Sequence, residues 1–452
     1  MRFGSQVGLA TIVVALGVAG PAAAQVKEEG AAGLQFNFSL PGARSLGMGG
    51  AFLGLADDAT SALANPAGLV NLSRPEVTAE GRSFRFTHRF TNRGHDFGDP
   101  SGRGTDTIAG LRLGEATDSA TALSFLSFTW ARPRWSVAVY RHQLLDFQSD
   151  FASQGAFRGS FPFVARLFPI QSTADLKIAN YGVSGAYRVT EKLSLGLGLQ
   201  YLQYQGDTQT LRYAIAPSST FPTQSFFGPP NFDPRNLRTR ETVHGDDHGI
   251  GWSVGALWHP LEPLSIGVTY RHGAKFDSQY VLTPGPAIQP FAPVTAKSEF
   301  RVPDIYGLGI SARPSDRWTV NFDVVRVEYS DLSDALGISP AAGFDADQIR
   351  LDDGVEVRFG VEYAFAELRH PFFVRAGAWR DPAHVLRFEN TGELTPVEAV
   401  FGQMAFSPGD IATREYHGSV GFGWVVGSFQ VDAAYDFSRS VDTASLSAVF
   451  RF

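Results

Sequence analysis

The chain has no cysteine, which excludes disulfide staples and thiolate metal sites. Charged residues make up only 18% of its 452 positions, and acidic ones outnumber basic ones, giving a formal net charge of −7. That balance lacks the basic footprint on which nucleic-acid binding depends, so no nucleic-acid partner is expected. Long apolar runs are scarce as well. After the first 24 residues nothing approaches the roughly 20 consecutive apolar residues that a membrane helix requires. A chain exported with this composition is either soluble or crosses a membrane as strands. What it has in abundance is phenylalanine (37), tyrosine (13), tryptophan (7) and glycine (48).

The N-terminus fixes the compartment. Met1-Arg2 gives a short positive start, Val7 to Val18 is mostly apolar, and Ala22-Ala23-Ala24 offers a small-residue cleavage site before Gln25. Residues 1–24 therefore read as a secretory signal peptide. About 430 residues remain, with no Ser/Gly/Pro linker to divide them and one strand-like texture throughout, so a single large domain is expected.

Period-two alternation is clearest at the C-terminus. Phe429, Val431, Ala433, Tyr435 and Phe437 alternate with Gln430, Asp432, Ala434, Asp436 and Ser438, and Leu446, Ala448, Phe450 and Phe452 repeat the pattern. Such a strand has one apolar and one polar face, as a soluble sheet or a barrel in lipid requires. About fourteen candidate strands follow one another from Pro75–Phe90 to Thr443–Phe452, an even count typical of bacterial barrels. Tight turns such as Arg132-Pro133-Arg134, Thr190-Glu191-Lys192 and Gly427-Ser428 alternate with long loops such as Gly206–Asp247, Asp331–Asp353 and Arg380–Thr413. Short turns on one side and long loops on the other mark an outer-membrane barrel. The third strand, Trp135–Phe147, has no glycine. At Val324-Val325 the alternation slips, which predicts a bulge or the edge of the membrane band. Glu356, Arg358, Glu362, Arg375, Asp432 and Asp436 fall on the polar face and must pair, or meet water or a plug.

Ahead of the first strand lie Gly42-Ala43-Arg44-Ser45-Leu46-Gly47-Met48-Gly49-Gly50, then Ala56-Asp57-Asp58-Ala59-Thr60, then Asn65-Pro66-Ala67-Gly68. Gly47, Gly49 and Gly50 allow close backbone approaches, Asp57-Asp58 suits a helix cap, and Asn65 before Pro66 favours a turn. This arrangement resembles the N-terminal hatch of the FadL/TodX family of outer-membrane transporters. Val302-Pro303-Asp304 with Tyr306-Gly307-Leu308-Gly309, and Val357-Arg358-Phe359-Gly360 with Val374-Arg375-Ala376-Gly377, resemble the family's later strands. The resemblance implies a hatch over residues 25–73 and a barrel over 74–452. It also implies passage of long-chain fatty acids or aromatic hydrocarbons through a wall opening at a kinked third strand, after hatch rearrangement. In the hatch, Gly47, Gly49, Gly50, Asp57, Asp58, Asn65, Pro66 and Ala67 would form the gate.

The loop after the third strand is unusually apolar, with Phe151, Phe157, Phe161, Phe163, Leu167 and Phe168, and it carries Arg158 and Arg166. Exposed apolar patches mark binding surfaces, and guanidinium groups suit a carboxylate, so these eight residues are candidate ligand contacts. The same residues would also serve a loop that packs on itself. Gly251-Trp252-Ser253-Val254-Gly255 matches G-x-S-x-G but lies within an alternating strand, whereas a nucleophile elbow needs a strand-to-helix turn. His244-Gly245-Asp246-Asp247-His248 reads as solvated polarity rather than a metal site.

The expectation is therefore an all-β, transmembrane antiparallel β-barrel of about 14 strands, its lumen plugged by an N-terminal hatch. It would sit in the outer membrane of a Gram-negative bacterium as a monomer surrounded by outer-membrane lipid, with no enzymatic activity, cofactor or metal. Its partner would be a long-chain fatty acid or another hydrophobic small molecule. The alternative is a barrel that serves as a secretion or surface-assembly scaffold, similar to the PorV-type proteins.

Overall fold

A computed structural model describes residues 40–161, 164–166, 169–214, 226–335, 349–383, 387–388 and 414–452. The expected signal peptide and the first part of the expected hatch lie outside them, as do Phe163, Leu167 and Phe168. Fourteen strands form the barrel: β1 (Glu76–His95), β2 (Gly110–Ala131), β3 (Trp135–Ser153), β4 (Ile170–Thr190), β5 (Leu193–Tyr213) and β6 (Leu237–Leu261) come first. β7 runs Leu264–His272 and resumes at Lys275–Pro284, and β8 runs Val294–Arg301 and resumes at Ile305–Ser315. β9 (Trp318–Val327), β10 (Gly354–Phe365), β11 (Phe372–Asp381), β12 (Glu415–Val426), β13 (Phe429–Phe437) and β14 (Val441–Arg451) follow. All neighbouring barrel strands are antiparallel, and β14 pairs with β1 from Glu76↔Arg451 to Phe86↔Val441, which closes the barrel without an edge.

Side-chain exposure decides between a soluble sheet and a barrel in lipid. On β13 and β14, Phe429 (59%), Tyr435 (45%) and Leu446 (58%) face outward, while Asp432 and Asp436 (2% each) are buried. That is the reverse of a water-soluble protein, and it makes sense only where the outer face meets hydrocarbon. Aromatic rings collect at two heights. Trp135, Tyr187, Trp258, Trp318 and Trp424 lie exposed near the short turns, and Tyr181, Tyr201, Trp252, Tyr306 and Tyr416 lie exposed higher up. On β6 the two levels are six residues apart, roughly 20 Å of strand. These are the interfacial girdles of a membrane barrel.

Several expectations are corrected in detail. β1, β2, β3 and β6 extend well beyond their expected outer ends, whereas β5 ends at Tyr213 as its expected strand (Leu193–Tyr213) does, so much of the expected 206–247 loop is β5 and β6 ladder, paired as far as Tyr213↔Leu237. No bulge occurs at Val324-Val325, because β9 keeps an unbroken register with both neighbours there. Instead Val325 and Val327 are apolar side chains turned into the lumen. The lumen-face charges pair as anticipated: Arg375 binds Glu362 and Asp432 (both 2.7 Å), Arg358 binds Glu356, and Asp436 binds His417 (2.7 Å). Leaving any of these buried charges unpaired would cost several kcal/mol.

Candidate functional site

The described residues ahead of β1, 40–75, lie inside the barrel. Two single-turn helices, α1 (Ala43–Leu46) and α2 (Ser61–Ala64), and a 3-10 helix over Pro66–Asn71 are almost wholly buried. Gly49 and Gly50 take φ of 63° and 71°, values open chiefly to glycine. Asn65 accepts from Ala67 N (3.2 Å) and donates to Leu53 O and Ala256 O, tying the Pro66 turn both to the plug and to the wall. Asp58 holds the turn into α2 through Thr60 N (2.9 Å). Asp57 instead pairs with Arg44 (2.6 Å) and Arg313 (3.0 Å), and Arg44 reaches on to Glu362 (3.0 Å).

Wall side chains grip the backbone of this plug. Asp323 Oδ2 accepts from Phe52 N (2.6 Å) and Leu53 N (2.8 Å), Glu80 from Gly42 N (2.9 Å), and Ser419 Oγ from Gly49 N (2.8 Å). Ser265 donates to Gly54 O and Ser184 to Ala62 O, both at 2.6 Å. Between these anchors the wall is lined with glycine where the plug touches it. A Cβ on Gly196, Gly360 or Gly377 would run into the backbone at Pro66-Ala67, Met48 or Met48-Gly49 respectively.

Above the plug, on the side of the long loops, is an apolar chamber. Met48, Phe52 and Leu53 of the plug form one continuous buried cluster with Leu144, Leu145 and Phe147 of β3 and with Val325, Val327 and Tyr329. A cavity within it is lined by Leu53, Leu63, Ile305, Val325, Val327 and Tyr329 and by three charged residues, Arg271, Glu356 and Arg358. Arg358 and Glu356 pair with each other. The Arg271 Nη1 is buried and has no hydrogen-bond partner among the described residues.

The chamber reaches the wall at β3. The β2–β3 ladder covers only Phe125↔His142 to Ala131↔Ser136. Beyond that point β2 stays paired with β1 as far as Gly94↔Leu111, and β3 with β4 as far as Ser153↔Ile170, but the two are not paired with each other. Two bulges flank the parting: β2 has an extra residue at Ser124, where the β1–β2 register shifts between Glu80 and Gly81, and β3 has one at Leu144, where the β3–β4 register shifts between Gln143 and Leu145. Beyond its bulge β3 leans inward across β2 onto β1: Phe147 meets Phe86 at 5.7 Å, Phe151 stacks on Phe90 at 4.5 Å, and Ser153 Oγ donates to Thr91 O. The result is a slot in the wall between β2 and β3. The kink needs no glycine, because an extra residue produces it.

The candidate capture loop is mostly folded into a turret. Phe151 is buried against Phe90 and Ile170, and Phe157 is buried against Phe226 and Phe227. Arg158 pairs with Asp96 at 3.0 Å. Arg166 is buried, donates to the carbonyls of Phe226 and Gly228 (2.8 Å each) and lies over the Phe157 ring. Burial pushes its guanidinium down to about 10. Phe161 stays 47% exposed beside Arg103, and Phe97 is 68% exposed beside Arg158. Ser253 is a buried lumen-facing residue on β6, with no turn into a helix. His244 pairs with Asp207 at 2.6 Å on the outer surface.

Sequence reasoning missed the chamber residues Leu144, Leu145, Arg271, Val325, Val327 and Tyr329. The signal of Leu144, Leu145, Val325 and Val327 was an apolar side chain in the lumen phase of an otherwise alternating strand; Arg271 and Tyr329 carried none.

A closed antiparallel barrel, apolar outside and polar within, plugged from its N-terminal side and slotted between two strands, defines a channel of the bacterial outer membrane. A family model described as outer membrane protein transport protein (OMPP1/FadL/TodX) matches residues 163–388, half of the chain, and the chain belongs to that family. The family consists of transport proteins for hydrophobic compounds and not of enzymes. The long-chain fatty acid transport protein of Escherichia coli O6:H1 is 23% identical over 213 residues, 42% of this chain, and the match spans about half (47%) of that relative's length. Among solved structures, a Pseudomonas aeruginosa FadL homologue superposes with a TM-score of 0.60 at 14% identity, covering 92% of this chain and 100% of that one. The CymD monoaromatic hydrocarbon channel gives 0.58 at 19% identity, covering 92% and 99%.

Proposed function

We propose that this protein takes up long-chain fatty acids across the outer membrane. Residues 1–24 serve as a cleaved signal peptide, 25–73 as a hatch that rearranges on binding, and 74–452 as a monomeric barrel set in outer-membrane lipid. Ligand is captured at the turret tip by Phe97 and Phe161. It settles in the chamber above the plug and leaves through the β2–β3 slot once the hatch yields.

The observation that carries the choice of substrate is Arg271. Its buried Nη1 has no partner among the described residues, in a cavity whose other walls are largely apolar. A buried donor left unmade is costly and a carboxylate satisfies it; the cavity itself has about 30 Å³, so the acyl chain enters the apolar cluster around it only as the hatch moves. A neutral monoaromatic hydrocarbon, the class of compound for which the CymD channel is named, would leave the guanidinium unanswered.

The test compares hexadecanoic acid with hexadecanol binding to purified protein and to Arg271→Met. A charge-assisted hydrogen bond contributes about 1.5–3 kcal/mol, so the acid should bind roughly ten- to a hundredfold more weakly to the variant. The alcohol should bind both proteins alike. Equal losses for acid and alcohol, or no loss for the acid, would overturn the assignment.

A further inference from the structure

The strands of the first half rise far above the upper aromatic girdle, and their outer face there is not uniform. Directly above Tyr181 and Tyr201 a groove crosses β3 to β6 on the outside of the barrel, lined by Arg141, Gln143, Lys177, Gln203, Gln205 and His248, with Asp246 and Asp247 at its far end. It encloses about 410 Å³, far more than an ion or a few waters at roughly 30 Å³ each would fill. Immediately below it the same strands present Val139, Val183, Leu199 and Ile250, all at least 44% exposed. A molecule seated in the groove would therefore have its polar part against amides and cations and its apolar part against the lipid-facing band.

On the opposite side of the barrel β13 ends at Phe437, whereas β5 and β6 stay paired as far as Tyr213↔Leu237, so the β3–β6 wall reaches well into the headgroup layer. The groove's chemistry is specific in kind. Gln203 and Gln205 offer paired donors and acceptors, the Tyr201 and His248 rings lie 5.6 Å apart, and Asp246 accepts hydroxyls, while Gln143 is held by Leu145 O, Ile178 O and Arg141. These groups suit a sugar. Arg141 and Lys177 add two cations that suit a phosphate, Lys177 now resting on Asp175 at 2.9 Å and Arg141 donating to Leu123 O and Gln143.

We propose that this groove binds the phosphorylated sugar headgroup of an outer-leaflet glycolipid, with the acyl chains lying over the apolar band beneath. The site rests on the orientation of the barrel in the membrane and is independent of the transported compound.

Native mass spectrometry of the full-length protein in detergent tests it, with diphosphorylated lipid A and phosphatidylglycerol as separate probes and inorganic phosphate as competitor. Wild-type protein should retain one lipid A, and Lys177→Glu should retain it at least tenfold more weakly, as should the charge-neutral Gln203→Ala/Gln205→Ala pair. Both variants alter exposed outward side chains, and retained resistance of the barrel to cold SDS shows that they fold. Phosphatidylglycerol should bind no better to wild type than to the variants, and millimolar phosphate should not displace lipid A. Equal lipid A adducts on wild type and folded variants would overturn the site. Displacement by inorganic phosphate would overturn it in favour of a free-anion site.

Discussion

Asp323 fastens the plug to the wall, and replacing it should loosen the plug without weakening the barrel. One carboxylate oxygen receives Phe52 N at 2.6 Å and Leu53 N at 2.8 Å, in a site closed to water. Hydrogen bonds to a charged acceptor contribute about 1.5–3 kcal/mol each against about 0.5–1.5 for neutral ones. Asp323→Asn should therefore cost about 1 kcal/mol per bond, roughly 2 kcal/mol for the pair. Asp323→Ala leaves two buried N–H groups unmade at about 1–3 kcal/mol each and should cost about 2–6 kcal/mol. None of this touches the strand ladders, which pass through Asp323 by its backbone alone. The assay is hydrogen exchange of the Phe52 and Leu53 amides in detergent-solubilised protein. Exchange at these two sites should quicken roughly thirtyfold in the asparagine variant, since about 1.4 kcal/mol is tenfold. It should quicken further in the alanine variant, with β9 and β10 amides unchanged. Unaltered protection of Phe52 and Leu53 in both variants would refute the reasoning, as would a uniform loss that includes the barrel.

Other consequences follow from the same geometry. Gly196→Ala drives a methyl into the Pro66-Ala67 backbone and should destabilise plug seating by about 1–3 kcal/mol, read as faster exchange around Ala67. Leu197→Arg puts a charge among the most exposed lipid-facing positions of β5, midway between the girdles, and should lower folding stability in bilayers by about 2–4 kcal/mol. Arg166→Met strips the carbonyls of Phe226 and Gly228 of their donor. It should open the turret to proteolysis at the loop that follows β5 while the barrel resists.

The C-terminal strands were legible because each has a lipid face and a polar lumen face, so Phe429–Phe437 alternates strictly. The outer extension of β6 was not, because above the membrane both faces are polar and the period-two signal fades over Leu237–His248. The hatch glycines were legible as close approaches, but not which wall atoms they meet, since Gly49 contacts Ser419 from 370 residues away. Asp57 illustrates the same limit: its role as an anchor for Arg44 and Arg313 depends on a distant strand, and Asp58 does not cap α2 but holds Thr60, the residue at its N-cap, in the turn ahead of it. The doubled valine at Val324-Val325 carried the chamber's signature, yet a slip in phase looks the same as an apolar side chain turned inward. The slot was hidden for a related reason. Leu144 is one residue too many in an otherwise regular strand, and a bulge leaves no compositional mark.

Deleting Ser124 and Leu144 together removes the extra residue of each strand and lets β2 and β3 continue in register, so that they pair beyond His142 and the slot closes. Uptake of labelled hexadecanoic acid by cells carrying the double deletion tests passage through the slot most directly, with folding and ligand binding measured on the purified protein. The expected result is a folded barrel that still binds the acid but takes up almost none. Uptake at the wild-type rate with the slot closed would contradict it.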